Sequence, residues 1–232
     1  MDILSQTIAW LTDPVNWSGP NGIPTRMAEH VAISGVSLVI ALAIALPIGL
    51  WIGHTGRHTT FAVNSANLWR ALPSLAVIAI VLPITARLDP EAGFKIYPTV
   101  VAMVILAVPP ILVNAYSGLA GVDRDILEAG RGQGMNEREI LQGVELPLSV
   151  AVIATGVRSA AIQVIATATL GAVFGFGGLG RYLVDGMAQI SQGGIGQIFG
   201  GVVLVAGLVI TTEIAFALLQ RRLTPRGLTI AK

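Results

Sequence analysis

Cysteine is absent from all 232 residues. Its absence removes disulfides, thiol nucleophiles and thiolate metal sites from consideration. Charge is scarce as well. Asp, Glu, Lys and Arg make up 12% of the chain, where a soluble domain carries about 25%. Too few polar side chains remain to cover a water-facing surface. The net charge of +1 offers no electrostatic ground for binding nucleic acid. Lysine occurs only at Lys95 and Lys232, and neither follows a Gly-x-x-x-x-Gly run, so the usual ATP phosphate cradle is missing. No basic residue precedes Arg26, so the start lacks the positive region of a cleaved signal peptide. Apolar residues are what the chain has in excess: they form 53% of it, with a mean hydropathy of +0.75. This composition points to a bundle of membrane spans.

A span needs about 20 mainly apolar residues to cross roughly 30 Å of hydrocarbon. Five stretches qualify, near 31–52, 63–86, 97–119, 148–171 and 198–219. The second is short unless its helix begins before Ala71. The expected fold is therefore all-α, a polytopic bundle of five transmembrane helices. Residues 1–29 form an arm before it, weakly amphipathic from Ile3 to Trp17, and 221–232 form a tail. Lys and Arg placement orients the bundle. Arg57, Arg124, Arg131, Arg138, Arg221, Arg222, Arg226 and Lys232 fall on one side, and Arg26, Arg87, Lys95 and Arg181 on the other. The richer side is expected to be cytosolic, with the N-terminus outside. Pro47, Pro73, Pro83, Pro109 and Pro110 fall within the expected helices, where each removes a backbone donor. Gly49/Gly53, Gly171/Gly175 and Gly196/Gly200 have the small-xxx-small spacing that lets helix backbones approach.

The longest charged segment, 122–147, lies on the cytosolic side between spans three and four. It reads as two short helices around a glycine turn. Asp123 can cap the first, and Gly130, Gly132 and Gly134 are expected to break it. Asn136 and Glu139 have the spacing of a capping-box variant at the start of the second. Ile126, Leu127, Ile140, Leu141 and Val144 supply apolar faces, and Pro147 marks entry to the fourth span. A short capped helix with an apolar stripe suits docking into a groove on a partner; a solvated connector packed on its own bundle has the same pattern.

Within it stand Glu128-Ala129-Gly130, then Gly134 after three residues, then Val144-Glu145-Leu146-Pro147 after nine. This resembles the coupling motif of permease subunits of binding-protein-dependent ABC importers: Glu-Ala-Ala, three residues, Gly, nine residues, Ile-x-Leu-Pro. Gly130 for Ala and Val144 for Ile are the departures. Arg70-Ala71-Leu72-Pro73-Ser74-Leu75-Ala76, Gly156-Val157-Arg158-Ser159-Ala160, Gly175-Phe176-Gly177-Gly178-Leu179-Gly180 and Glu29-His30-Val31 resemble segments of the permeases for quaternary-amine osmoprotectants. Methionine-type permeases share the fold and the loop. The resemblance implies a type I importer permease core in a bacterial or archaeal cytoplasmic membrane. It implies a second permease copy or a similar chain, two ATPase subunits that bind ATP and Mg, and a soluble or lipid-anchored binding protein that delivers substrate. It places Glu128, Ala129, Gly130, Gly134, Asn136, Ile140, Val144, Leu146 and Pro147 at the ATPase contact. The cargo it implies is glycine betaine, choline, carnitine or proline betaine, with another amino acid such as methionine as the alternative. A membrane scaffold without a transport role is the competing class.

Other patterns carry less. Gly175, Gly177 and Gly180 match Gly-x-Gly-x-x-Gly, but they follow a membrane helix and not a strand, so a sharp outer turn is expected in place of a dinucleotide site. Pro73, Gly177, Gly178 and Gly180 are hinge or gate candidates. His54 and His58 are four apart with no third ligand nearby, so no metal site is expected. No serine–histidine arrangement indicates catalysis, and no catalytic residue is assigned. Arg158 and Glu213 are the charges expected inside spans, either along the pathway or paired to hold the bundle. Asn114, Gln163, Thr167 and Thr169 are uncharged polar residues in spans three and four, suited equally to a hydrated path or to interhelical hydrogen bonds.

Overall fold

A computed structural model of the chain describes residues 2–60, 64, 68–69 and 72–223. Among these the regular elements are helical throughout. They include α1 (Ile3–Thr12), α2 (Ile23–Thr55), α3 (Ser74–Thr85), α4 (Tyr97–Ala120), α5 (Arg124–Gly132), α6 (Glu137–Ile140), α7 (Leu146–Gly171), α8 (Gly180–Ala188) and α9 (Ile195–Leu223), with shorter helical turns such as Ala92–Lys95 between them. Four of the apolar helices are long enough to cross a membrane. They carry the first, third, fourth and fifth expected spans.

The first of these helices starts at Ile23, so Arg26 and Glu29 stand on its opening turns and not in a preceding arm. The first part of the second expected span, 63–71, lies mostly outside the described residues. Its described part differs from the expectation. Pro73 does not lie within a helix; it is the extended residue before α3, with ψ 128°. Having no N–H, it suits a helix entrance better than an interior. The 12 residues of α3 span only about 18 Å at 1.5 Å per residue.

The core forms where α4 packs between α2 and α7. Ile33, Ala41, Ala45, Met103, Ala107, Ile111, Ala160, Val164 and Ala168 are buried together. Small residues set the spacing. A Cβ on Gly49 would fall 2.7 Å from Ala115 Cβ, and one on Gly53 2.8 Å from Leu119 Cβ. Gly156 faces Asn114 and Pro110 O in the same way across α4 and α7. Asn114 therefore packs between helices, its amide donating to Pro110 O at 2.8 Å. Gly171 abuts Thr99, whereas Gly175 lies beyond the helix end, so these two glycines do not act as one packing pair.

The N-terminal arm is ordered. Its helix α1, capped by Asp2 accepting from Ser5 N–H, lies along α9. Trp10 fits over Gly200, and the Gln6 carbonyl approaches Gly196. The third glycine pair thus receives the arm. Ile23, Leu179 and Tyr182 close a second small core with Trp10, Met27 and Leu204 around them.

Much apolar surface stays uncovered. Val39 of α2 is 65% exposed and Ile210 of α9 59%, as suits helices that meet lipid or another subunit rather than water.

Candidate functional site

The charged segment between spans three and four folds as a cap on one end of the bundle. Asp123 accepts from Asp125 N–H at 2.9 Å and starts α5. Gly130 and Gly132 do not break this helix; both lie inside it, and Gly130 is buried against Met135 and Ile140. The chain reverses at Gly134, where φ is +88°. Only glycine enters that region without Cβ strain. Asn136 then accepts from Glu139 N–H at 3.0 Å while Glu139 Oε2 accepts from Asn136 N–H at 2.8 Å. The expected capping box is complete.

The second helix of this segment is not a separate unit. It runs from Glu137 into α7 through a wider turn at Leu141–Glu145, where Leu146 N–H donates to Leu141 O five residues back. Pro147 supplies no N–H, so the helical ladder lacks a bond where the turn widens. A force on α6 is thereby carried into a span without a loop between them. Glu128, Ala129, Gly134, Asn136 and Pro147 are exposed, Val144 and Leu146 are half-buried, and Ile140 is fully buried. Ile140 supports the segment from inside, and Ile126, at 47% exposure, offers apolar surface on α5.

One part of this region is invisible in the motif. His54, at the end of α2, places Nδ1 2.5 Å from Glu145 Oε2 and Nε2 3.6 Å from Glu137 Oε2. Arg131 Nε lies 2.9 Å and Nη2 3.1 Å from the same Glu137 carboxylate. That hydrogen-bonded carboxylate holds the Arg131 guanidinium above its ordinary range. Glu145 is 3% exposed. Span one is thus fastened to the charged segment. His58 does not join His54; it stacks on Trp51. Among the described residues no cluster suits a metal.

At the opposite end the glycine-rich turn closes on the start of α2. Gly178 N–H donates to Glu29 Oε2 at 2.7 Å, and Arg26 Nη1 donates to the same oxygen at 2.8 Å. Leu179 N–H donates to His30 Nδ1 at 3.3 Å, which leaves Nε2 to donate to Ile165 O at 3.0 Å. Gly178 has φ +74°. A Cβ on Gly177 would fall 2.2 Å from Glu29 Oε2, and one on Gly180 2.3 Å from Thr169 O. The turn is a clasp, and its glycines are required by contact. Beside it opens a polar cavity of about 370 Å³ lined by Asn16, Asn21, Arg26, Arg181, Asp185 and Tyr182. Burial pushes the Tyr182 phenol up to about 12; its hydroxyl donates to Asn21 O at 2.8 Å.

Between these ends, Arg158 of α7 and Glu213 of α9 meet. Arg158 Nε donates to Glu213 Oε2 at 2.7 Å, and Nη2 contacts Oε1. Of the uncharged polar residues, Thr169 donates to Ala166 O at 2.6 Å and Thr167 is buried.

The described residues thus form a bundle of apolar helices with a charged cap at one end. Over residues 45–226 the chain matches the family described as binding-protein-dependent transport system inner membrane component, and it belongs to that family. It is a membrane-spanning permease subunit of an ABC importer. Among its relatives, the carnitine transport permease protein OpuCB of Listeria monocytogenes is 33% identical over 88% of this chain and 89% of that protein. The glycine betaine/carnitine/choline permease OpuCB of Bacillus subtilis is 34% identical over 88% and 89%, and the choline permease OpuBB of that organism 34% over 86% and 88%. The fold matches a chain of the MetNI methionine ABC transporter in an inward-facing conformation, with a TM-score of 0.73 at 21% identity, over 92% of this chain and 100% of that one.

Proposed function

We propose that this permease imports quaternary-amine compatible solutes such as glycine betaine, choline, carnitine or proline betaine. The reading rests on relatives at 33–34% identity whose names specify carnitine, choline and glycine betaine. Two copies, or one copy and a similar permease, form the path. A binding protein delivers solute outside, where the clasp of Glu29, His30 and Gly178 lies. The cytosolic face carries Arg57, Arg131, Arg138, Arg221 and Arg222, with the N-terminus outside.

A separate ATPase binds ATP and Mg and docks on α5 and the Gly134 reversal. What supports this is the unbroken path from α6 into α7. Motion imposed on the exposed cap becomes motion of a span, and His54 carries the same motion to α2. The cycle alternates between inward-open and outward-open states.

Competition uptake of labelled glycine betaine, choline, carnitine and methionine, in a strain lacking this chain and in one restored with it, tests the cargo. Restored uptake of quaternary amines is expected, and restoration of methionine uptake alone refutes the assignment. The purified chain alone is expected to hydrolyse no ATP, whereas the full complex hydrolyses it faster with loaded binding protein. Robust hydrolysis by the chain alone overturns the division of labour.

A further inference from the structure

Most of the bundle is apolar, but the cavity beside the clasp is walled by polar groups. Its volume of about 370 Å³ falls among small-molecule sites, which span about 300–1,000 Å³. Four segments build the wall. The arm gives Asn16 and Asn21, α2 gives Arg26, α8 gives Arg181 and Asp185, and α9 gives Gln197. A chain with only 12% charged residues thus gathers two guanidinium groups, a carboxylate and several amides around one space.

The charges on this wall are paired but not used up. Arg26 donates through Nη1 to Glu29 at 2.8 Å and through Nη2 to Asn21 Oδ1 at 2.6 Å. Arg181 donates through Nε to Asp185 and through Nη1 to Ala172 O, both at 3.3 Å, and its Nη2 also meets Asp185. A guanidinium has five N–H groups, so each arginine keeps donors beyond these bonds. The side chains of Arg181 and Asp185 stay 28% and 34% exposed. With Glu29 and Asp185 opposite the two arginines, the charges sum to zero. A lone anion or a lone cation meets a balanced wall and gains one partner only by unsettling a pair. A zwitterion adds no net charge. Its negative end finds guanidinium N–H groups, and its positive end finds the Asp185 carboxylate.

The aromatic rings decide the kind of positive end. A quaternary ammonium depends on open ring faces. Here Tyr182 is buried, Trp10 lies over Gly200, and the two rings meet edge to face with centroids 4.9 Å apart. What the wall offers instead is oxygen, from the Asp185 carboxylate and from the amides of Asn16 and Gln197. These accept from an ammonium that bears N–H groups.

We propose that this cavity binds a small zwitterion of amino-acid type, carrying a carboxylate and an N–H-bearing ammonium. Its occupant ties the arm, α2, α8 and α9 together. Arg26 also holds Glu29, the acceptor for Gly178 N–H, so the occupant braces the clasp and keeps this end of the bundle closed. The inference does not depend on which solute is carried.

The test uses the full-length permease, purified with its partner subunits and placed in nanodiscs. Titration calorimetry gives affinities for alanine and the larger glutamine. Glycine betaine is the zwitterion without N–H, acetate the anion and methylammonium the cation. These three are expected to bind at least about tenfold more weakly, the loss of one charge-assisted hydrogen bond. No binding of either amino acid, or equal binding of glycine betaine or acetate, overturns the proposal. At ten times its dissociation constant, an amino acid should slow hydrogen exchange at residues 176–180 about tenfold; unchanged exchange there refutes the brace. Arg181→Gln/Asp185→Asn removes a pair together and strands neither charge, and it should weaken both amino acids at least about tenfold. Wild-type affinity in that variant places the binding elsewhere and sinks the assignment. The chain has no cysteine, so Gln197→Cys reports on the cavity with every charge in place. Alanine should slow its modification by N-ethylmaleimide at least about threefold, a modest occupancy effect, and modification indifferent to alanine overturns the site.

Discussion

His54 and Glu145 are 91 positions apart in sequence, and Nδ1 of one lies 2.5 Å from Oε2 of the other. This contact joins the end of span one to the turn through which the charged cap enters span four. Glu145 is almost wholly buried. His54→Ala leaves its carboxylate without this hydrogen-bond partner, which for a buried acceptor costs roughly 1–3 kcal/mol. His54→Ala/Glu145→Gln removes the stranded charge and should recover a substantial part of that loss. Thermal unfolding of the four proteins of this double-mutant cycle measures the coupling. Additive single effects would show that the two residues act separately.

Gly134 has open space around its Cα and a φ of +88°. Two causes of sensitivity can therefore be separated. Gly134→Asn keeps access to the left-handed region, whereas Gly134→Leu does not, and Leu also adds bulk at the proposed ATPase contact. The strain on Leu amounts to about 1–2 kcal/mol. The Leu variant should insert normally yet lose ATPase on co-purification, and the Asn variant should retain most of it. Unchanged uptake with Leu would place the partner contact elsewhere.

Asn136→Ala removes one half of the capping box. The cost to the start of α6 is about 1 kcal/mol. Amides of residues 139–141 should exchange with solvent about fivefold faster, as that cost implies. Exchange as slow as in the native protein would mean that tertiary packing of Ile140, not the cap, holds this helix start.

Gly177→Ala forces a Cβ into the Glu29 carboxylate, so the clasp must shift. Lost stability of about 1–3 kcal/mol is expected, the cost of freeing the Gly178 N–H and its acceptor. Gly207→Ala, at a glycine with no atom within 4 Å of the added carbon and no positive φ, controls for the added methyl group alone. Equal losses in the two variants would remove any special role for the clasp.

The helices that the sequence revealed best are the ones whose surroundings matter least. The runs within α2, α4, α7 and α9 are apolar for about the thickness of a bilayer, and any such run is helical in lipid because its backbone has no other partner. The capping box was legible for a similar reason: Asn136 and Glu139 are three apart, and their bonds are local. The entrance at Pro73 was less so, since its neighbours are apolar and composition does not mark where a helix starts. The unbroken path from α6 into α7 was hidden as well. Gly143 and Pro147 resemble a break, yet a wider turn absorbs them.

Composition alone determined membrane residence, because 12% charged residues cannot clothe a soluble surface. Fixed spacings within 128–147 determined the kind of transport subunit, since those contacts are near in sequence. Tertiary structure decided everything that joins distant segments: Trp10 against Gly200, Glu29 and His30 against the glycine-rich turn, His54 against Glu145, and Arg158 against Glu213. Each of those pairs follows no helical period, because each is set by how whole helices pack, and packing depends on small residues such as Gly49, Gly53 and Gly156 meeting particular partners across the bundle.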